Sequence, residues 1–89
     1  MNKKDKTLEI LNKLVTTIDV KKDGDKMIES FYNECLYFKQ EIEEGRMMIP
    51  LDSIEGYQLS YIIAEDYFYN KEDLKKLVED LYYNIVEYK

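Results

Sequence analysis

Apolar residues recur along most of the chain at the spacing of a helix, three and four residues apart, and rarely alternate as in a strand. The clearest run is Ile28, Phe31, Cys35, Phe38 and Ile42, a seam that predicts a helix over about Lys26 to Glu44, with Asp25 as its N-cap. An earlier run, Leu8, Leu11, Val15 and Ile18 with Ile10 and Leu14 beside it, predicts a helix over about Asp5 to Ile18, capped by Asp5. The last run, Leu74, Leu77, Leu81, Ile85 and Tyr88, widened by Val78, Tyr82 and Val86, predicts a helix over about Lys71 to Tyr88. Asn70 stands at its N-cap, with Glu72 and Asp73 favourably placed in its first turn.

Between these runs the pattern supports two readings. Asp52-Ser53-Ile54-Glu55 has the form of a capping box, and Tyr57, Tyr61, Ala64 and Phe68 continue as a helical stripe. Tyr57, Leu59, Tyr61 and Ile63 also alternate, and Gly56 weakens a helix start, so a short hairpin within residues 47–63 is the competing local structure. Punctuation elsewhere is sparse. Asp23-Gly24-Asp25 marks a turn, Gly45 sits where a left-handed helix end belongs, and Pro50 lies in a connector from Arg46 to Leu51. Three Gly and one Pro favour long helices over a many-stranded fold. The expectation is an all-α, small four-helix bundle forming one domain over residues 1–89.

Composition narrows the chemistry. With no His, no Trp and one Cys, the chain has no His-based acid–base pair, no Cys–His pair and no internal disulfide. Asp19, Asp23, Gly24 and Asp25 superficially resemble a calcium loop, but Lys21 and Ser30 occupy positions that need oxygen ligands, so a plain turn is expected. Neighbouring acids such as Glu43/Glu44, Glu65/Asp66, Glu72/Asp73 and Glu79/Asp80 point about 100° apart on a helix and read as wet faces, not as a catalytic pair. Cys35 falls on a core stripe, where a structural thiol is expected. These readings predict no enzyme, no cofactor and no metal. The unpaired Cys35 and the lack of an apolar run of membrane-spanning length predict a cytoplasmic protein.

Charge is unevenly spread. Residues 1–39 hold eight Lys against seven acids, whereas residues 40–89 hold five Lys or Arg against twelve acids. That balance disfavours direct nucleic-acid and membrane binding and favours a basic protein partner. The one basic cluster, Lys3, Lys4 and Lys6, reads as a solvated terminus. Glu41, Glu43 and Glu44 crowd a helix end where the macrodipole is already negative. The nine tyrosines carry most of the remaining information. Several flank acids instead of the core stripes, which suits an interface because Tyr buries much area at low entropy cost. A compositional bias of AT-rich bacterial genomes would also enrich Tyr. The candidate protein-binding residues are Glu65, Asp66, Tyr67, Tyr69, Asp73, Glu79, Asp80, Tyr83 and Glu87.

Two fragments, Leu14-Val15-Thr16-Thr17-Ile18 and Asp80-Leu81-Tyr82-Tyr83, give the chain a resemblance to the small acidic immunity proteins that inhibit colicin-type nucleases. In that family the Asp and paired Tyr lie on a short third helix, spaced one residue further apart and followed by Pro. Here they fall in the last predicted helix, and Asn84 stands where the family has Pro. The resemblance implies an inhibitor that docks on a basic enzyme, with Asp80, Tyr82 and Tyr83 in contact. The alternative is a non-catalytic structural or regulatory homodimer built on the same Tyr- and Leu-rich surface.

Overall fold

Asn2, and not Asp5, opens the first helix. In the computed structural model, which describes residues 2–86, the Asn2 side chain accepts the backbone N–H of Asp5 at 2.8 Å, and α1 runs Lys3–Thr17. Its buried face is Thr7, Ile10, Leu11 and Leu14, with Ile18 at the C-cap; Leu8 and Val15 are only half-buried. The linker that follows contains one extra helical turn, α2 (Val20–Asp23), capped by the Asp19 side chain. The described residues thus form five helices rather than four. Gly24 follows this turn, and a Cβ there would stand 2.7 Å from the Val20 carbonyl oxygen, so glycine fits the position.

The central helix, α3 (Lys26–Glu43), follows its sequence pattern closely. Asp25 caps it through the Ile28 N–H at 3.0 Å, and Ile28, Phe31, Cys35, Phe38 and Ile42 are all buried. Gly45, at φ +76°, closes it: the Gly45 N–H reaches the Ile42 carbonyl at 3.1 Å and the Arg46 N–H reaches Glu41 at 2.9 Å. This is a Schellman end, in which a left-handed glycine satisfies the last carbonyls. Arg46 also pairs with the Glu41 and Glu44 carboxylates, which compensates the acids gathered at this negative helix end.

The segment after α3 departs most from expectation. No strand forms among the described residues; the only pairing is an isolated parallel bridge between Leu51 and Val86. The expected helix start at Asp52 is also displaced. Ser53 Oγ accepts the Glu55 N–H at 2.9 Å, a local turn bond two residues apart, and Gly56 at φ +89° interrupts the chain. Helix α4 (Gln58–Ala64) begins six residues later, and its cap comes from another helix. The Glu34 carboxylate on α3 accepts the N–H groups of Gln58 and Leu59, each at 2.8 Å. The buried stripe of α4 is Leu59 and Ile62, whereas Tyr61 and Ala64 face outward. Phe68 reaches the core from the following turn and meets Phe31, ring centres 6.4 Å apart.

The last helix, α5 (Glu72–Ile85), is shorter than its pattern. Lys71 occupies the N-cap without a side-chain cap bond, and Asn70 lies outside. Leu74, Val78, Leu81 and Ile85 are buried, with Leu77 and Tyr82 half-buried beside them; Tyr88 lies outside the described residues. No basic residue of its own occupies the last turn. Instead Lys3 Nζ donates to the carbonyls of Tyr83 (3.2 Å) and Val86 (3.0 Å), and the Leu51 N–H donates to Ile85 at 2.6 Å. A lysine expected to be solvated is therefore the cation at a helix C-terminus 80 residues away. In this bundle α1 packs along both α3 and α5, and α4 spans α3 and α5 at one side. The core is a single cluster whose buried residues come from α1, α3, α4, α5 and the segments that adjoin them, and the one-turn α2 adds the half-buried Val20 against it.

Candidate functional site

Helix α4 stops abruptly, and its ending builds an acidic, tyrosine-bearing face. Glu65 is the C-cap and Asp66 takes φ +49°, a left-handed conformation that favours glycine. The Asp66 N–H bonds to Ile63 and the Tyr67 N–H to Ile62, both at 3.2 Å, so this is a second Schellman end with Asp in the glycine position. The turn is held further by the Tyr69 N–H on the Asp66 carbonyl (3.1 Å) and the Lys71 N–H on that of Phe68 (2.9 Å). Its residues divide between inside and outside: Phe68 is buried, Tyr67 is half-buried, and Tyr69 is 70% exposed.

The outer surface of α5 continues this face. Tyr69 shares a shallow groove with Glu72, Lys75, Lys76, Glu79 and Asp80. On its other side it shares one with Glu65, Asp66 and Tyr67. Five carboxylates thus surround the exposed ring against two ammonium groups, and one of those, Lys75, is 3.5 Å from Asp66. Glu79 enters no ion pair among the described residues. An unpaired carboxylate next to an exposed aromatic ring can accept a charge-assisted bond from a cation while the ring supplies contact area.

Six of the nine sequence candidates meet here: Glu65, Asp66, Tyr67, Tyr69, Glu79 and Asp80. Tyr83 lies one turn further along α5 from Glu79 and Asp80, half-exposed, with its ring edge against Tyr82 at 5.6 Å. Asp73 is not part of the cluster. It lines a separate depression with Thr17, Lys71 and Leu74 at the other edge of α5. Glu87 lies outside the described residues. Of the residues singled out by the immunity-protein resemblance, Asp80 is half-buried, Tyr82 packs against the core, and Tyr83 faces solvent.

A second exposed group lies outside the nine candidates, although Tyr37 within it fits no core stripe in the sequence. Tyr37 (51% exposed) and Met48 (80%) border a groove with Met47, Leu51 and Tyr57, where the Tyr57 ring stands edge-on to Phe38 at 5.0 Å. The Met47-Met48 pair in a connector was the signal available for it.

The titratable groups inside the protein serve structure. Burial pushes the Cys35 thiol well above its ordinary range, with the Glu34 charge adding to the effect, so the thiol stays protonated and inert. Burial likewise raises the Glu34 carboxyl, while the N–H groups of Gln58 and Leu59 oppose that rise. Among the described residues, no group of three or more His, Cys, Asp or Glu is placed to hold a metal ion, and no helix is long and apolar enough to cross a membrane. No protein-family model, curated protein or solved structure matches the chain.

Proposed function

We propose that this chain is a non-enzymatic protein-binding module whose α4–α5 face docks on a basic protein, in the manner of an inhibitor or immunity-type protein. The observation that carries this reading is Tyr69, exposed at the centre of a face bearing Glu65, Asp66, Glu72, Glu79 and Asp80. A large aromatic residue left in water has no role in this core, whereas aromatic anchors within polar rims recur at protein interfaces. The surrounding acids would steer a cationic partner and set its orientation; the ring would then supply buried contact area. Such docking inhibits from outside, by covering the partner's own basic site.

The test is affinity capture from a lysate of the source cell, on three immobilised baits: the wild-type chain, Tyr69→Ala, and Glu79→Lys with Asp80→Lys. A basic protein enriched on the wild type is then purified and its Kd measured at 50 and 500 mM salt. The reading expects Kd to rise about tenfold or more across that salt range, and by about thirtyfold on Tyr69→Ala, the scale of an interface hot spot. Binding that ignores both salt and the charge reversal refutes it, as does a captured set with no basic member.

A further inference from the structure

Between α4 and α5 the docking face contains a recess of a different character from its grooves. Its floor is Ile62, Phe68 and Val78, each no more than 4% exposed, and the side chain of Ile63 forms one wall. Its rim carries the carboxylates of Asp66 and Glu79 and the ammonium of Lys75. The recess is a shallow cavity of about 50 Å³ that opens to solvent, far short of the ~300–1,000 Å³ usual for small-molecule sites. It therefore suits one side chain better than a metabolite.

We infer that this recess seats a single arginine side chain of the basic partner, an inference that rests on the docking reading above. The floor and the rim ask for different things. For a side chain laid across this shallow opening, the apolar atoms at its base favour an aliphatic stem and the acids at its rim favour a cationic head, and only Arg and Lys combine the two. The rim selects between them. Asp66 is already 3.5 Å from Lys75, so an incoming cation is left mainly the Glu79 carboxylate. A guanidinium presents five N–H donors in a planar fork, and it can engage the unpaired Glu79 carboxylate through two of them while leaving the Lys75 pair intact. It is also more weakly hydrated than an ammonium, which suits a head group resting partly against Ile63. In this arrangement Tyr69 anchors the partner surface and the arginine fixes its register.

The inference is tested on the full chain, labelled with 15N, by amide chemical-shift titration at 50 mM salt with three probes: the N-acetyl methylamides of arginine, lysine and leucine. The arginine probe should give saturable shifts centred on Ile63, Asp66, Val78 and Glu79, at least threefold tighter than the lysine probe, with no saturation by the leucine probe. Glu79→Gln should weaken the arginine probe at least threefold without altering the rest of the spectrum, and Glu55→Gln, an exposed acid in the connector, should leave it unchanged. Shifts scattered over all exposed carboxylates, equal response to lysine, or indifference to Glu79→Gln each overturn the assignment. If the face captures a basic protein but the arginine probe does not saturate at the recess, the recess assignment alone fails. If capture also fails, the docking reading falls with it.

Discussion

Replacing Glu34 by Ala should unfold the protein about 8–16 °C earlier. The seven-residue α4 has no side-chain cap of its own, and its first two free N–H groups point at the Glu34 carboxylate, both at 2.8 Å. Hydrogen bonds to a charged acceptor contribute about 1.5–3 kcal/mol each, and stranding a buried donor costs about 1–3 kcal/mol. Two effects reduce the total: the site is only partly buried, so water can reach one donor, and holding the carboxylate out of water carries its own cost. A net loss of about 2 kcal/mol is expected, comparable to the larger measured N-cap deletions. For a domain of this size each kcal/mol shifts Tm by about 4–8 °C. Urea titration followed by circular dichroism gives the free energy directly; a loss below about 0.5 kcal/mol would show that α4 needs no external cap. Glu34→Gln, which keeps one acceptor oxygen, should lose about half as much at pH 7. The pH dependence has a definite sign. The folded-state pKa lies above the ordinary 4.5, so between those two values the folded chain holds more protons at this site than the unfolded chain. The part of the stability linked to this titration is therefore full below pH 4.5 and declines as pH rises through the folded pKa. The advantage of wild type over Glu34→Gln should be larger at pH 4 than at pH 7. The opposite slope would mean that the helix N-terminus outweighs burial.

Two further substitutions probe other features of the fold. At Asp66, with φ +49°, the order of stability should be Gly at or above the wild type and Ala below both, the Gly–Ala gap being about 1–2 kcal/mol in chemical denaturation; an Ala variant as stable as Gly would remove the left-handed turn from the account. Thr7 is fully buried, and its Oγ1 finds no hydrogen-bond partner among the described residues, so Thr7→Val should raise stability by about 1 kcal/mol and Tm by about 4–8 °C. A loss on that change would mean that the hydroxyl is satisfied in solution.

Where the backbone follows local rules, its structure was legible. The seam from Ile28 to Ile42, the Asp25 cap and the Gly45 ending of α3 all depend on residues within one or two turns of each other, and each appears as read. Two of the departures share one physical cause. The spacing of Asp52 and Glu55 predicts a local capping box at the start of α4, yet Ser53 closes a tighter local turn and the working cap is Glu34, 24 residues upstream. The end of α5 is held by Lys3 and Leu51, partners that only the folded bundle brings near. Nothing in a one-dimensional pattern distinguishes a carboxylate that will cap a distant helix from one that will face water. Thr7 shows the converse: although polar, it stands on the same i, i+3, i+4, i+7 stripe as Ile10, Leu11 and Leu14 and is buried with them.

The same distinction governs the candidate site. Acids and tyrosines near residues 65–69 and 79–80 could be selected from the sequence because they fit no core stripe, and those six residues do share one face. Their convergence, however, depends on the left-handed turn at Asp66. That turn reverses the chain after Ile62 and sends Phe68 inward and Tyr69 outward, and it brings the end of α4 beside the second turn of α5. Glycine would adopt this conformation at lower cost, yet the position carries a carboxylate on the rim of the recess. If the turn alone mattered, Asp66→Gly would be neutral in every assay. If the carboxylate also serves binding, the same variant would keep or gain stability while losing affinity for a basic partner. That separation between stability and affinity distinguishes a surface shaped for docking from one that is merely acidic.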